Sequence, residues 1–105
     1  MHDSLALGID LGTSGVRVAV LNGQRDLLYI AATSYERNLT YPEDWQKGCI
    51  QLIAAIPDEL RTRLRALAVD GTSGTLLACD REGTPLGKAL PYNAGCPEQL
   101  DQVLA

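Results

Sequence analysis

Two loops of nearly the same composition each follow directly on an apolar run: Asp10-Leu11-Gly12-Thr13-Ser14-Gly15 after residues 5–9, and Asp70-Gly71-Thr72-Ser73-Gly74-Thr75 after residues 67–69. A carboxylate closing a buried strand is costly unless it is paired or binds a metal. Glycine lets backbone approach a ligand closely, and successive N–H groups in such a turn form a concave anion site. The pattern therefore predicts two polar, phosphate-sized loops at one edge of a sheet. A turn or hairpin-initiating aspartate at Asp10, and a plain strand-ending turn at Asp70 and Ser73, are the simpler alternatives.

The intervening sequence constrains the fold further. Residues 5–10, 16–21 and 27–32 read as strands of a meander spanning 5–34, and Asn22-Gly23 carries the signal of a type I′ hairpin turn. Pro42 suits the first turn of a helix, with Glu43 and Asp44 complementing the positive end of its dipole. Trp45, Cys49, Leu52, Ile53 and Ile56 then fall on one apolar stripe. Gly48 weakens that helix by about 1 kcal/mol relative to alanine. Pro57 ends it, and Asp58-Glu59-Leu60 begins a short second turn.

Residues 64–70 return as a strand, 75–80 and 86–90 read as two more, and 98–104 as the start of a helix. A strand–helix–strand crossover favours parallel pairing, which brings both Asp loops to the same sheet edge, where open α/β sheets bind ligands. The fold class expected is α/β, a mixed sheet with a β-meander, a crossover helix and further strands.

Composition removes several functions. The 105 residues suffice for one domain, and a net charge of −4 without a basic cluster argues against nucleic acid. Arg61, Arg63 and Arg65 read as a solvated helix face. The cysteines, Cys49, Cys79 and Cys96, include no C-x-x-C pair, and the one histidine, His2, is terminal, so a zinc site is not expected. Free, mostly buried thiols fit a reducing compartment. No signal segment and no membrane-length apolar run is evident, so a soluble, cytoplasmic chain with no membrane partner is expected.

Known site types are discriminated by residue chemistry. No lysine lies near either loop, which excludes a Walker phosphate loop, and Gly8, Gly12 and Gly15 have the wrong spacing for a dinucleotide fingerprint. A two-aspartate protease needs a different residue order, and a serine hydrolase needs a histidine inside the fold. Phosphoryl transfer fits. It requires a carboxylate for Mg²⁺ and backbone N–H groups near phosphates, which Asp10, Gly12, Thr13 and Ser14 can supply. Asp70, Thr72 and Ser73 offer partners for a polyol.

The stretch Leu7-Gly8-Ile9-Asp10-Leu11-Gly12-Thr13-Ser14-Gly15-Val16-Arg17 resembles the first phosphate loop of the actin, hexokinase and chaperone ATPase superfamily, whose domain is ribonuclease H-like. Ala68-Val69-Asp70-Gly71-Thr72-Ser73-Gly74-Thr75 and Cys79-Asp80-Arg81-Glu82-Gly83-Thr84-Pro85-Leu86 resemble the FGGY carbohydrate kinases, of the D-ribulose or pentulose variety, and the similarity runs over residues 5–93. The resemblance implies an ATP- and Mg²⁺-dependent sugar kinase acting on a ketopentose such as D-ribulose. Within it Asp10 is the acid near Mg²⁺ and the transferred phosphoryl group, and Gly12, Thr13 and Ser14 lie along the ATP phosphates. Asp70, Thr72, Ser73, Gly74, Trp45, Tyr92 and Asn93 face the sugar.

By its own position on the helix stripe, Trp45 is a core anchor or a sugar contact. Ala94 departs from the family by removing an acidic contact, which leaves the sugar's identity open. The resemblance also implies that residues 1–105 are part of an N-terminal domain, with the general base and the nucleotide-binding second domain outside this chain and the segment alone inactive. A homo-oligomer or the remaining part of the kinase is the expected partner. The alternative is a truncated, non-catalytic sugar-binding or interaction module.

Overall fold

Residues 4–91 are described here from a computed structural model of the chain. Tyr92, Asn93, Cys96, His2 and the helix expected over 98–104 lie outside the described residues. The elements run β1 (Leu5–Leu11), β2 (Gly15–Leu21), β3 (Leu27–Ser34), α1 (Pro42–Ala54), α2 (Asp58–Arg61) and β4 (Leu64–Gly71). The four strands form one sheet in the order β3-β2-β1-β4, antiparallel except for β1 and β4, which pair in parallel. The crossover through α1 and α2 therefore returns β4 beside β1, as its length requires.

Alternation along the strands decides which face is buried. Leu7 pairs with Val20, Ile9 with Val18 and Leu11 with Val16. With Leu5, these residues form a core capped by Leu52 of α1, by Ile56 just beyond its end and by Tyr35. The helix stripe predicted from spacing is the one buried, with Trp45, Cys49 and Ile53 packed at its margin. On the opposite face, Gly8 pairs with Ala19 and Asp10 with Arg17.

Gly48 has a packing role beyond its propensity cost. A Cβ there would lie 2.9 Å from Val16 Cγ2 and 3.4 Å from Thr33 Cγ2, so its absence lets α1 settle onto β2 and β3. Gly48→Ala gains about 1 kcal/mol of helix propensity but meets an overpacking cost of about 1–3 kcal/mol. A net loss of about 1 kcal/mol in chemical denaturation is expected. A gain in stability would show that Val16 yields freely.

The start of α1 is tied down by one buried carboxylate. Asp44 is 3% exposed, and its oxygens accept from the Arg37 amide at 2.7 Å, Arg37 Nη2 at 2.7 Å and Arg37 Nε at 3.2 Å. A buried charge persists only with such partners. The Arg37 guanidinium, and secondarily its amide, hold the Asp44 carboxyl below the usual carboxylate range against the opposing effect of burial. Because the folded-state value is depressed, this stabilisation is complete above the ordinary aspartate value and is lost as pH falls through the folded one. Asp44→Asn should lower the melting temperature at pH 7 and flatten its decline below about pH 4. Parallel melting curves for the two proteins from pH 7 to pH 2 would contradict this.

Several local expectations are corrected. Asn22-Gly23 does not make a two-residue type I′ turn, because the connection is the longer loop 22–26. Its positive φ falls at Arg25 (68°), and the Asn22 side chain accepts from the Gln24 and Asp26 amides at 3.0 and 2.9 Å. An Asx-type turn organised by Asn22 replaces the backbone turn.

Helix α1 stops at Ala54 rather than at Pro57, and Pro57 instead precedes α2. The strands expected over 75–80 and 86–90 reduce to isolated bridges, Leu76 with Leu90 and Cys79 with Pro85. Asp80 accounts for much of this, since its side chain accepts from the Glu82 and Thr84 amides and shapes a turn. The three arginines share no helix face. Arg61 in α2 donates to the Ala54 carbonyl at 3.1 Å, while Arg65 lies in β4. Cys79 is exposed and Cys49 half-buried, so the two described thiols are less buried than expected, and burial raises the Cys49 pKa.

Candidate active site

The Asp10 loop is the hairpin turn between β1 and β2, and its geometry follows from three backbone constraints. The Gly12 amide donates to the Gly15 carbonyl at 2.9 Å, closing the turn. The Tyr35 amide donates to the Ser14 carbonyl at 3.0 Å. Gly15 accommodates the end of β3, since a Cβ there would lie 2.2 Å from the Thr33 carbonyl oxygen. The Thr13 and Ser14 amides donate to no other described group. Thr13 and Ser14 are exposed. With Asp10, Gly12, Thr33 and Ser34 they line a concavity of about 360 Å³. Unpaired amides at the mouth of an open concavity are what an anion needs.

Asp70, one residue before the end of β4, lies directly across from Asp10 in the parallel ladder. Partners in a ladder project to the same side, so both carboxylates share the face opposite α1, and Arg17 of β2 stands beyond Asp10 in the same row. All three border a second trough, about 310 Å³, whose floor is Gly8, Ala19 and Ala68. Both aspartates are exposed, and Asp70 accepts from the Gly71 amide at 3.0 Å. Two exposed hard-oxygen donors side by side suit a cation that keeps most of its own water. Among the described residues no group of three or more His, Cys, Asp or Glu forms a closed metal cage.

The second loop is less enclosed. The Thr72 and Thr75 hydroxyls are hydrogen-bonded to each other, while Ser73 and Gly74 are exposed at the tip, Gly74 with φ 76°. Thr72 and Thr75 line a small cavity of about 130 Å³ with Trp45, Leu11, Leu39 and Gly71. Trp45 is held there by its Nε1, which donates to the Leu39 carbonyl at 2.7 Å. It is therefore both a margin of the core and a wall of this cavity.

The structure thus brings Asp10, Gly12, Thr13 and Ser14 together, sets Asp70 against Asp10, and joins Trp45 to Thr72. Sequence reasoning missed Arg17 and Tyr35. Arg17 was accessible in principle, because a hairpin closed by the 12–15 turn pairs it with Asp10. Tyr35 carries no motif, and only the path of the chain after β3 brings its hydroxyl under the loop.

No family model matches the sequence. Solved structures do match. A xylulose kinase from Brucella ovis superposes with a TM-score of 0.78 at 22% identity, over 95% of this chain and 23% of that one. A glycerol kinase from Plasmodium falciparum, solved with ADP, gives 0.76 at 16% identity over 98% of this chain and 23% of its own. A xylulose kinase from Lactobacillus acidophilus gives 0.77 at 11% identity, over 95% of this chain and 22% of its own. The fold, a mixed sheet of the α/β class, is thus shared with part of these kinase structures. The chain spans just under a quarter of the length of these relatives. No helix among the described residues is long and apolar enough to cross a membrane.

Proposed function

We propose that this chain forms the phosphate- and sugar-facing sheet of an ATP-dependent carbohydrate kinase, with a ketopentose such as D-ribulose as acceptor. The observation that carries the reading is the pairing of Asp10 with Asp70 at the ends of adjacent parallel strands, beside a turn with unengaged amides. Similarity of fold to xylulose and glycerol kinases supports it. The exposed Asp10 carboxylate and the open amides beside it fit a magnesium nucleotide by the chemistry of their donors. Mg²⁺, when bound, supplies charge neutralisation at the phosphates.

In this reading Asp10 orients the hydrated cation, and the Gly12, Thr13 and Ser14 backbone holds the ATP phosphates. Asp70, Thr72, Ser73 and Gly74 position the sugar hydroxyl, with Trp45, Tyr92 and Asn93 around the ring. Such a site works by positioning and electrostatics, because phosphoryl transfer needs little covalent chemistry from the protein. A cytoplasmic setting, where MgATP and free sugars meet, accords with the free thiols.

Calorimetry of this chain with MgADP, and separately with D-ribulose and D-xylulose, tests the reading. Saturable heat with the nucleotide and with at least one sugar is expected. Sugar heat without nucleotide heat would favour a non-catalytic sugar-binding module, and no heat with either would end the proposal.

A further inference from the structure

Among the described residues, Tyr35 is the one buried tyrosine, and its hydroxyl reaches into the turn between β1 and β2. Its side chain is 8% exposed, and its phenol donates to the Gly12 carbonyl at 2.7 Å. Its amide donates to the Ser14 carbonyl at 3.0 Å, so one residue engages both sides of the turn. A trans peptide is planar, and its C=O and N–H point in opposite directions. The Gly12 carbonyl and the Thr13 N–H belong to one such plane. Drawing the carbonyl inward onto Tyr35 therefore aims the Thr13 N–H outward, into the concavity lined by Asp10, Ser14 and Thr33.

We infer that Tyr35 is a positioning residue for the phosphate-binding turn, its phenol and amide fixing the Gly12 and Ser14 carbonyls so that the Thr13 N–H faces an incoming phosphate. The inference deepens the kinase reading and rests on it for the identity of the anion. Burial is the main cause that raises the Tyr35 pKa, followed by the nearby Cys49 and Asp10, so the phenol remains a neutral donor throughout the physiological range. A donor already in place aims the turn before any ligand arrives, so no reorganisation is needed on binding.

Tyr35→Phe keeps the ring in the core and removes only the hydroxyl. Amide NMR of the wild-type chain and of this variant, with and without inorganic pyrophosphate, separates aiming from folding. Binding is expected to shift the Thr13 and Ser14 amides in the wild type, and the variant should bind about tenfold more weakly. Exchange of the Gly12 and Tyr35 amides should accelerate in the variant, while the β1–β2 core amides keep their protection. Equal affinity, or weaker binding with unchanged exchange at Gly12 and Tyr35, overturns the role given to Tyr35. If the wild type binds no pyrophosphate, the kinase reading fails. Accelerated exchange at the two amides alone then supports the hold on the turn, and unchanged exchange removes it.

Discussion

Gly15→Ala should lower stability by about 3 kcal/mol, the upper range for overpacking, and so lower the melting temperature by roughly 12–24 °C. The added Cβ would lie 2.2 Å from the Thr33 carbonyl oxygen, 2.9 Å from Ser34 Cα and 3.0 Å from the Thr33 carbonyl carbon. All three are backbone atoms of the neighbouring strand, so no side-chain rotation can relieve the contact. The end of β3 must move away, and with it the Tyr35 amide that reaches the Ser14 carbonyl. The same change should abolish any pyrophosphate response at Thr13. Gly23→Ala is the matched control, because nothing lies within 4 Å of its Cβ. Equal thermal melts for the two variants would show that the β2–β3 approach is not what demands glycine.

Asp10→Asn should weaken MgADP binding by at least about tenfold, the loss typical even for groups one step removed from a metal. Calorimetry across a magnesium series should also show that the remaining affinity no longer depends on the metal. Asp10 is exposed, so its melting temperature should stay within the range of an ordinary surface change, about 0.5 kcal/mol. The combination matters: an isosteric change that spares the fold while removing metal dependence is a property of a ligand-facing carboxylate. Asp70→Asn, on the adjacent strand, should leave magnesium dependence in place and reduce the response to sugar. Retained magnesium dependence in Asp10→Asn would remove the role assigned to that carboxylate.

Much of this arrangement was legible because it is written in short-range patterns. The strands β1 to β4 follow from apolar runs and the helix α1 from its stripe, since burial on one face imposes the period directly. The crossover rule then placed Asp70 beside Asp10 without any knowledge of contacts.

What failed was decided by side chains competing with the backbone. Asn22 and Asp80 use their own oxygens to cap nearby amides, replacing an expected two-residue turn in one case and a strand pair in the other. The reach of Tyr35 and the packing role of Gly48 escaped the sequence for a different reason. Their roles depend on what lies across a space of a few ångströms, and neither periodicity nor propensity carries that information.

The two halves of the candidate site are mounted on strands of unequal security. β1 lies between two strands and buries Leu5, Leu7 and Ile9, whereas β4 is an outer strand whose Leu67 and Val69 are 64% and 56% exposed. Amide protection tracks such burial, and regions with little of it open on their own. In native-state exchange β4 should be the first strand to detach, carrying Asp70 away while Asp10 stays in register. In the proposed reading, the phosphate side of the site is in that sense a permanent fixture. If the proposed reading holds, the sugar side exists only as often as β4 is docked, so covering Leu67 and Val69 should raise sugar affinity without touching a sugar contact.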